Sequence, residues 1–228
     1  IDGFIATGTE VSPFYDPLLS KVMVHAEDRS KAIGLLQSTL DETSVSGIET
    51  NLRYLRQVSR WKPFTDGGVA MRDMASFDYK PNTFDVLSAG TMTTIQDWPG
   101  RLGLWEVGVP PSGPMDSLSF RLANRLVGNP EGTAALEITM AGPSLRFNSA
   151  STIAIAGPSV IILKNGEPIS PNTAFTVDPG DVVKIGKIEA AGLRSYLAIS
   201  GGIEAPDYLG SKSTITLGRF GGHGGRAL

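Results

Sequence analysis

The pattern of apolar and polar residues changes character along the chain. Up to about Trp61 the apolar residues recur mainly at helical spacing, whereas from about Phe84 they form short runs separated by turn-forming residues. Between these parts no period is visible, and prolines and glycines interrupt the pattern. The pattern therefore predicts three segments, which are residues 1–61, a linker of residues 62–83 and a strand-rich domain of residues 84–228.

The first segment is predicted to contain one strand followed by two helices. Apolar and polar residues mix in residues 19–25 as they do in a strand that is buried on one face. Asp28 can accept hydrogen bonds from the free N–H groups at the start of the first helix, and Gly47 falls in the turn beyond it. The apolar positions of this helix are Ile33, Leu36 and Leu40. A second helix is predicted over residues 50–59.

The strand-rich segment is predicted to form a β-barrel or a β-sandwich. Its apolar runs are residues 133–139, 152–156, 160–164, 181–185 and 194–199. Asn165 and Gly166 tolerate the positive φ angles of a tight hairpin turn. One helix interrupts the strands, because Asp116 can cap its start and residues 128–130 contain the glycine and proline that end helices. The apolar stripe predicted for this helix is Leu118, Leu122 and Leu126.

Composition excludes several kinds of site. The chain has 41% hydrophobic and 19% charged residues, which is ordinary for a globular protein. A net charge of -3 with scattered Lys and Arg gives no reason to expect a nucleic-acid partner. Without cysteine, and with only His25 and His223, the chain offers no thiolate nucleophile and no Cys/His zinc site, so no metal is expected. No apolar run approaches the roughly 20 residues of a membrane-spanning helix, and a cytoplasmic protein is expected.

The two ends of the chain predict a piece of a longer protein. The sequence opens on Ile1 without a start methionine and closes on Leu228 directly after a glycine-rich turn. We therefore expect the second domain to be incomplete and the isolated chain to be inactive.

Residues 11–55, VSPFYDPLLSKVMVHAEDRSKAIGLLQSTLDETSVSGIETNLRYL, resemble the C-terminal end of biotin carboxylase domains. In that family the ATP-binding core and the residues that act on bicarbonate and biotin come earlier in the chain. The resemblance implies that this segment is a scaffold, in which Asp16 and Lys21 are structural, and that ATP and Mg are bound elsewhere in the parent protein.

Residues 93–147, TTIQDWPGRLGLWEVGVPPSGPMDSLSFRLANRLVGNPEGTAALEITMAGPSLRF, resemble the KipA-like carboxyltransferase subdomain, and residues 195–228 continue the likeness. The fusion of both segments resembles the urea carboxylase family. It implies an α+β chain in which a strand–helix–helix unit precedes a cyclophilin-like barrel. It also implies ATP- and biotin-dependent carboxylation of urea to allophanate, with biotin on a carrier domain outside this chain and the remaining domains as partners. Two alternatives stay open, a guanidine-type carboxylase and a 5-oxoprolinase or regulatory module.

Carboxyl transfer to urea needs a base, hydrogen-bond acceptors along the NH₂ edges and a donor at the carbonyl oxygen. The candidate catalytic residues are Asp116, Glu137 and Arg101, and the candidate substrate-binding residues are Gln96, Asp97, Ser112 and Arg226. Several of these residues can instead have a purely structural role. Asp116 can be only a helix cap, Arg101 can pair with Asp97, and Glu137 can belong to a buried ion pair or an exposed strand face. Structural roles are favoured for His25, His223 and Asn124.

Overall fold

A computed structural model describes residues 1–45, 48, 50–189 and 191–228. The described chain divides into two compact units, the first running from Ile1 to Tyr79 except for residues 46–48, and the second from Lys80 to Leu228. Helices and antiparallel sheets are both present, so the α+β class is confirmed. Within the described ranges, none of the helices has the length and apolar character needed to cross a membrane.

The first unit is mainly helical. Its elements are β1 (Asp2–Gly3), β2 (Ser20–Lys21), α1 (Arg29–Glu42), α2 (Leu52–Val58), α3 (Lys62–Asp66) and a 3₁₀ helix (Met71–Ser76). The strand predicted over residues 19–25 is wrong in length, because only Ser20–Lys21 pairs, with Asp2–Gly3. The helix start at Asp28 is confirmed, since its side chain accepts a 2.8 Å hydrogen bond from Lys31 N. Gly47 lies outside the described residues.

The segment predicted as a linker contains regular structure. Pro63 lies in the first turn of α3, where its missing N–H has no intrahelical partner to lose, and Gly67 ends that helix with a φ of 84°. Phe77 then packs against Tyr54 and Trp61 at centroid distances of 5.4 and 5.3 Å. Pro63 and Gly67 are therefore helix boundaries, and the aromatic residues form a local cluster within the first unit.

The second unit consists of two five-stranded antiparallel sheets and one main helix. The strands are β3 (Phe84–Ser88), β4 (Met92–Gln96), β5 (Ala135–Thr139), β6 (Ser144–Phe147), β7 (Ser151–Ala156), β8 (Val160–Lys164), β9 (Glu167–Ile169), β10 (Ala174–Val177), β11 (Val182–Ile188) and β12 (Arg194–Ile199). The first sheet has the order β10-β7-β12-β5-β4, and the second β3-β6-β11-β8-β9. A 3₁₀ turn (Trp105–Val107) and helix α4 (Ser117–Leu126) lie between β4 and β5. Asn165 and Gly166 form the predicted hairpin turn between β8 and β9, with φ angles of 52° and 91°.

The main core lies between the two sheets. Leu136 and Leu197 of the first sheet share one buried cluster with Leu145, Val183 and Ile185 of the second. The opposite face of the first sheet is covered by α4, so β5 and β12 are buried on both faces. This arrangement explains why their sequences do not alternate cleanly between apolar and polar residues.

Helix α4 buries a different face from the one predicted. Leu118 and Leu122 are 74% and 41% exposed, so the predicted leucine stripe is wrong at these positions. The buried side chains are instead Phe120, Ala123 and Asn124, followed by Val127 just after the helix. The facing side of the sheet is lined by alanines that leave room for the Phe120 ring: Ala135, Ala154, Ala156 and Ala198.

Candidate functional site

A row of polar side chains crosses the helix-facing side of the first sheet. Thr94 lies directly opposite Glu137, and Glu137 lies directly opposite Tyr196. Gln96, two residues beyond Thr94 on the same strand, points to the same side. All four residues are buried. A row of this kind within an otherwise alanine-lined surface requires internal hydrogen bonds.

Glu137 is held through one of its two oxygens. Its Oε2 accepts hydrogen bonds from the Tyr196 hydroxyl and from Met115 N, both at 2.8 Å. Its Oε1 lies 3.5 Å from Arg194 Nε, an ion pair that does not reach hydrogen-bond geometry. Because Glu137 is only 6% exposed, these donors replace most of the water that a carboxylate would bind.

Tyr196 connects the sheet to the start of α4. Its hydroxyl donates to Glu137 and accepts a 2.8 Å hydrogen bond from Asp116 N. Its ring contacts Phe120 edge to face, with the centroids 5.7 Å apart. Burial, together with the negative charge of Glu137, raises the pKa of Tyr196 far above its ordinary value. The hydroxyl therefore remains a proton donor at neutral pH.

Asp116 is the N-cap of α4, as predicted. One carboxylate oxygen accepts from Leu118 N at 3.1 Å and Ser119 N at 3.0 Å, and the other accepts from the Ser119 hydroxyl at 2.5 Å. Partial burial opposes ionisation, but these hydrogen bonds outweigh it and lower the pKa of Asp116. Asp116 thus fixes the helix start, and its backbone N–H in turn anchors Tyr196.

Arg101 is surrounded by protein oxygen atoms. It is 1% exposed, and its nitrogens donate to Tyr208 O, Ser211 O, Ser213 O and the Ser112 hydroxyl at 2.6 to 3.1 Å. These contacts use all five N–H groups of the guanidinium, which also lies 5.1 Å from the centroid of the Phe220 ring. Among the described residues, Arg101 forms no ion pair with Asp97, the structural partner considered for it.

Asp97 and Gln96 bind the same segment of the chain from the end of β4. Asp97 accepts from the hydroxyls of Ser211 and Ser213, both at 2.5 Å, and from Lys212 N at 2.8 Å. Gln96 Nε2 donates to Thr214 O at 3.4 Å and to Thr94 Oγ1 at 3.0 Å. Gln96 Oε1 is buried, and no described residue donates to it.

The glycine-rich loop packs closely, but Arg226 lies on its surface. A side chain at Gly222 would come within 1.9 Å of Thr214 Oγ1, so the loop can approach this segment only with glycine there. Arg226 is exposed and contacts the imidazole of exposed His223, with Arg226 Nη2 2.8 Å from His223 Nε2. The described structure shows no contact between Arg226 and the other predicted site residues.

Comparison with known proteins explains the two units. Residues 107–228 match the family model described as carboxyltransferase domain, subdomain A and B. The chain belongs to this carboxyltransferase family. Residues 1–75 match the biotin carboxylase C-terminal domain.

Much longer proteins match the carboxyltransferase chain from end to end. The chain is 48% identical to the urea amidolyase of Lachancea kluyveri over 228 residues, which is 100% of this chain and 12% of that protein. The crystal structure of the Kluyveromyces lactis urea carboxylase superposes with a TM-score of 0.90 at 49% identity, over 99% of this chain and 20% of that one. A 5-oxoprolinase component of Haemophilus influenzae is 32% identical over 63% of this chain and 46% of its own length. The chain therefore spans a small part of the urea-metabolising relatives.

Six of the seven predicted residues of this carboxyltransferase chain fall into two groups, and Arg226, which contacts His223, belongs to neither. Glu137 and Asp116 meet at the start of α4, whereas the second group surrounds the segment 208–214: Gln96, Asp97, Arg101 and Ser112. Thr94 links the groups, because it accepts from Gln96 and lies opposite Glu137. Sequence reasoning missed Tyr196 and Arg194. Their two-residue spacing puts both on one strand face, but only the strand register brings that face to Glu137.

Proposed function

We propose that the chain is the junction between the biotin carboxylase and carboxyltransferase parts of a urea carboxylase, which converts urea to allophanate with ATP and bicarbonate. One observation carries this proposal. Both segments occur on one chain that a urea amidolyase matches over 100% of its length. The 5-oxoprolinase relative matches 63% of the chain. We also propose domain boundaries at residues 61 and 83.

Within this function, Glu137 is the candidate base. A urea nitrogen must lose a proton as it accepts a carboxyl group, and a positioned carboxylate can take that proton. Tyr196 and Met115 N fix Oε2, which leaves Oε1 available to the substrate. Enclosure of Glu137 strengthens its interaction with a polar substrate, because the effective dielectric constant is lower than in water.

The other predicted residues receive roles that match their contacts. Asp116 positions Tyr196 and the start of α4, and Arg101 positions Ser112 and the segment 208–213. Gln96 Oε1 is proposed as an acceptor for a ligand N–H, since it is buried and no described donor reaches it. Asp97 supports the same segment through Ser211 and Ser213. Exposed Arg226 is proposed as a contact for a ligand carboxylate.

Biotin, ATP and Mg are proposed cofactors of the whole enzyme, with biotin on a carrier domain and ATP and Mg in the biotin carboxylase core. When it is bound, biotin supplies the carboxyl group. The unpartnered oxygens Gln96 Oε1 and Glu137 Oε1 fit a ligand rich in N–H groups, which describes both urea and the ureido ring of biotin. The first unit, which contains the biotin carboxylase C-terminal match, is proposed as a scaffold for the missing parts of that domain.

The proposal is tested by urea-stimulated ATP hydrolysis in the intact, biotinylated enzyme. Glu137→Gln keeps the size of the side chain but removes the base, and we expect it to lower the stimulated rate by roughly 10²- to 10⁴-fold. Glu131→Gln is the matched control, because the described contacts of the Glu131 side chain are ion pairs with Arg121 and Arg125 of α4 and none with the Glu137 group. Bicarbonate-dependent hydrolysis without urea gives the reference for each preparation.

Guanidine is run beside urea as the second acceptor. Stimulation by guanidine alone would move the assignment to a guanidine-type carboxylase. Stimulation by neither compound would contradict the carboxylase proposal and favour the 5-oxoprolinase-like module. A Glu137→Gln enzyme with normal urea stimulation would remove Glu137 from the reaction.

A further inference from the structure

Three neighbouring polar atoms have no hydrogen-bond partner among the residues that the structure describes. Arg194 Nε and Thr139 Oγ1 are both buried. The third atom is Glu137 Oε1, which only forms the 3.5 Å ion pair with Arg194 Nε, whereas the hydrogen bonds to this carboxylate fall on Oε2. Unpartnered buried polar groups are uncommon in folded proteins, and a missing ligand is one explanation for them.

Strand register brings these residues together. Arg194 lies directly opposite Thr139, two residues along the ladder from the pair formed by Tyr196 and Glu137. Residues two apart on a strand point to the same side, so all of these side chains lie on the helix-facing surface. Directly opposite residues have Cβ atoms about 4.5–5.5 Å apart. One small molecule can therefore contact all three unpartnered atoms.

This patch lies close to the surface of the second unit. The side chain of Arg194 is 19% exposed and that of Glu137 is 8% exposed. Met92, which is opposite Thr139, is 37% exposed, and Met115, whose N–H binds Glu137, is 75% exposed. Methionine side chains adapt easily because they have three rotatable bonds. A small ligand can thus reach the patch by displacing flexible side chains.

We propose that Glu137, Arg194 and Thr139 bind one edge of a planar ureido group. A ligand N–H donates to Glu137 Oε1, and the ligand carbonyl oxygen accepts from Arg194 Nε and from the Thr139 hydroxyl. Standard amide bond lengths put the nitrogen and oxygen of such an edge about 2.2 Å apart. The nitrogen and oxygen of this edge can therefore form two roughly parallel hydrogen bonds, one to Glu137 Oε1 and one from Arg194 Nε, which lie 3.5 Å apart.

The identity of the ligand rests on the proposed urea carboxylation. Urea and the ring of biotin carry the same ureido edge, so the geometry points to their shared chemistry. It also selects against guanidinium, in which an NH₂ donor replaces the carbonyl oxygen. That donor and its positive charge would face the Arg194 guanidinium, which has no acceptor. Arg194 is therefore a specificity-determining residue for carbonyl-bearing ligands.

Binding is measured on the intact enzyme prepared without biotin, so that no turnover occurs. Ligand-observed NMR titrations use ¹³C-urea and 2-imidazolidone, which is the bare ureido ring. We expect Arg194→Met to weaken binding roughly 10- to 100-fold and Thr139→Val roughly 2- to 10-fold, because a charged donor contributes more than a neutral one. The controls are Arg146→Met, which removes an ion pair with Asp85 in the second sheet, and Thr152→Val, on strand β7.

The two ligands distinguish the sources of the ureido group. If the Arg194 and Thr139 variants bind urea more weakly but bind 2-imidazolidone normally, the patch binds the acceptor urea. If they bind 2-imidazolidone more weakly but bind urea normally, the patch binds the biotin ring. A third titration uses guanidinium. We expect Arg194→Met to lower the ratio of the guanidinium dissociation constant to the urea dissociation constant by at least about tenfold.

The proposal is overturned if folded Arg194→Met and Thr139→Val enzymes bind both ligands within about twofold of the wild type, below the smallest change expected from a lost hydrogen bond. It is also overturned if the wild type binds neither. Failure of the carboxylase function looks different, because the wild-type biotinylated enzyme would then show no urea-stimulated ATP hydrolysis, whatever these variants bind.

Discussion

Replacement of Tyr196 by phenylalanine removes one hydroxyl and leaves the ring in place. The hydroxyl donates to Glu137 and accepts from Asp116 N, both at 2.8 Å, at a position with 0% exposure. A hydrogen bond to a charged group contributes about 1.5–3 kcal/mol and a neutral one about 0.5–1.5 kcal/mol. We therefore expect Tyr196→Phe to lower the free energy of unfolding of the second unit by about 2–4 kcal/mol.

The pH dependence of this loss is set by the raised pKa of Tyr196, which burial and the charge of Glu137 produce. A tyrosine in the unfolded chain ionises near pH 10. Below that pH the hydroxyl is protonated in both states, so its stabilising contribution is fully present. As the pH rises above about 10, the unfolded state loses a proton that the folded state retains, and the contribution falls by up to about 1.4 kcal/mol per pH unit.

Calorimetric unfolding of wild type and Tyr196→Phe between neutral pH and pH 11 measures both effects. Tyr208→Phe is the control, since Tyr208 is 50% exposed and binds Arg101 through its backbone carbonyl. A loss below about 0.5 kcal/mol at neutral pH, the low end for a single hydrogen bond, would refute the argument. The argument would also be refuted if the difference in unfolding free energy between Tyr196→Phe and the wild type stayed constant above pH 10.

Three further predictions concern local structure. Asp116→Ala removes the N-cap of α4 and should lower the free energy of unfolding, measured by thermal unfolding, by about 0.5–2 kcal/mol. Because the pKa of Asp116 is lowered in the folded state, this loss should be complete above the ordinary carboxylate pKa and should shrink as the pH falls below it. Asp181 has its pKa lowered to about 2 by hydrogen bonds from Asp178 N, Lys164 and Asn165. Asp181→Asn should therefore destabilise the hairpin at neutral pH, and in acid titrations its difference from the wild type should shrink below the ordinary carboxylate pKa and vanish only below about pH 2. Gly222→Ala should unfold at a clearly lower temperature than Gly224→Ala, since both have positive φ but only the former would clash, at 1.9 Å from Thr214 Oγ1; equal melting temperatures would contradict this reading of the loop.

Local signals in the sequence predicted local structure well. The caps at Asp28 and Asp116 and the turn at Asn165 and Gly166 depend on a few adjacent residues, and all three are present. The apolar face of α4 was predicted wrongly, because the helix packs on a surface of alanines from distant strands that favours Phe120 over the leucines. Strand 19–25 was predicted too long for a related reason, since only two residues find a pairing partner.

The candidate site was predicted only in part, because side-chain partners depend on strand register. Glu137 was a candidate from its position within an apolar run, but its donors lie 22 and 59 residues away in the chain. For Arg101 the sequence left open a pair with Asp97, which is close in sequence, and a contact with substrate. The structure instead gives each residue its own contacts with the segment 208–213. The domain boundaries at residues 61 and 83 remain predictions.

Arg101 and Glu137, both buried charged residues of the second unit, illustrate what separates an architectural group from a reactive one. Arg101 donates every N–H to protein oxygens of Ser112 and of the segment 208–213, so it has no N–H left to donate to a ligand. Glu137 is nearly as buried, yet its hydrogen bonds fall on one oxygen, and an unpartnered Arg194 Nε lies beside the other. Removing a charge from water is costly, so a half-partnered carboxylate is stable only if something else binds its free oxygen or if the fold tolerates the cost. A ureido ligand would bind there and satisfy both groups at once, which is why Glu137, rather than the better-held Arg101, is the residue on which the proposed chemistry depends.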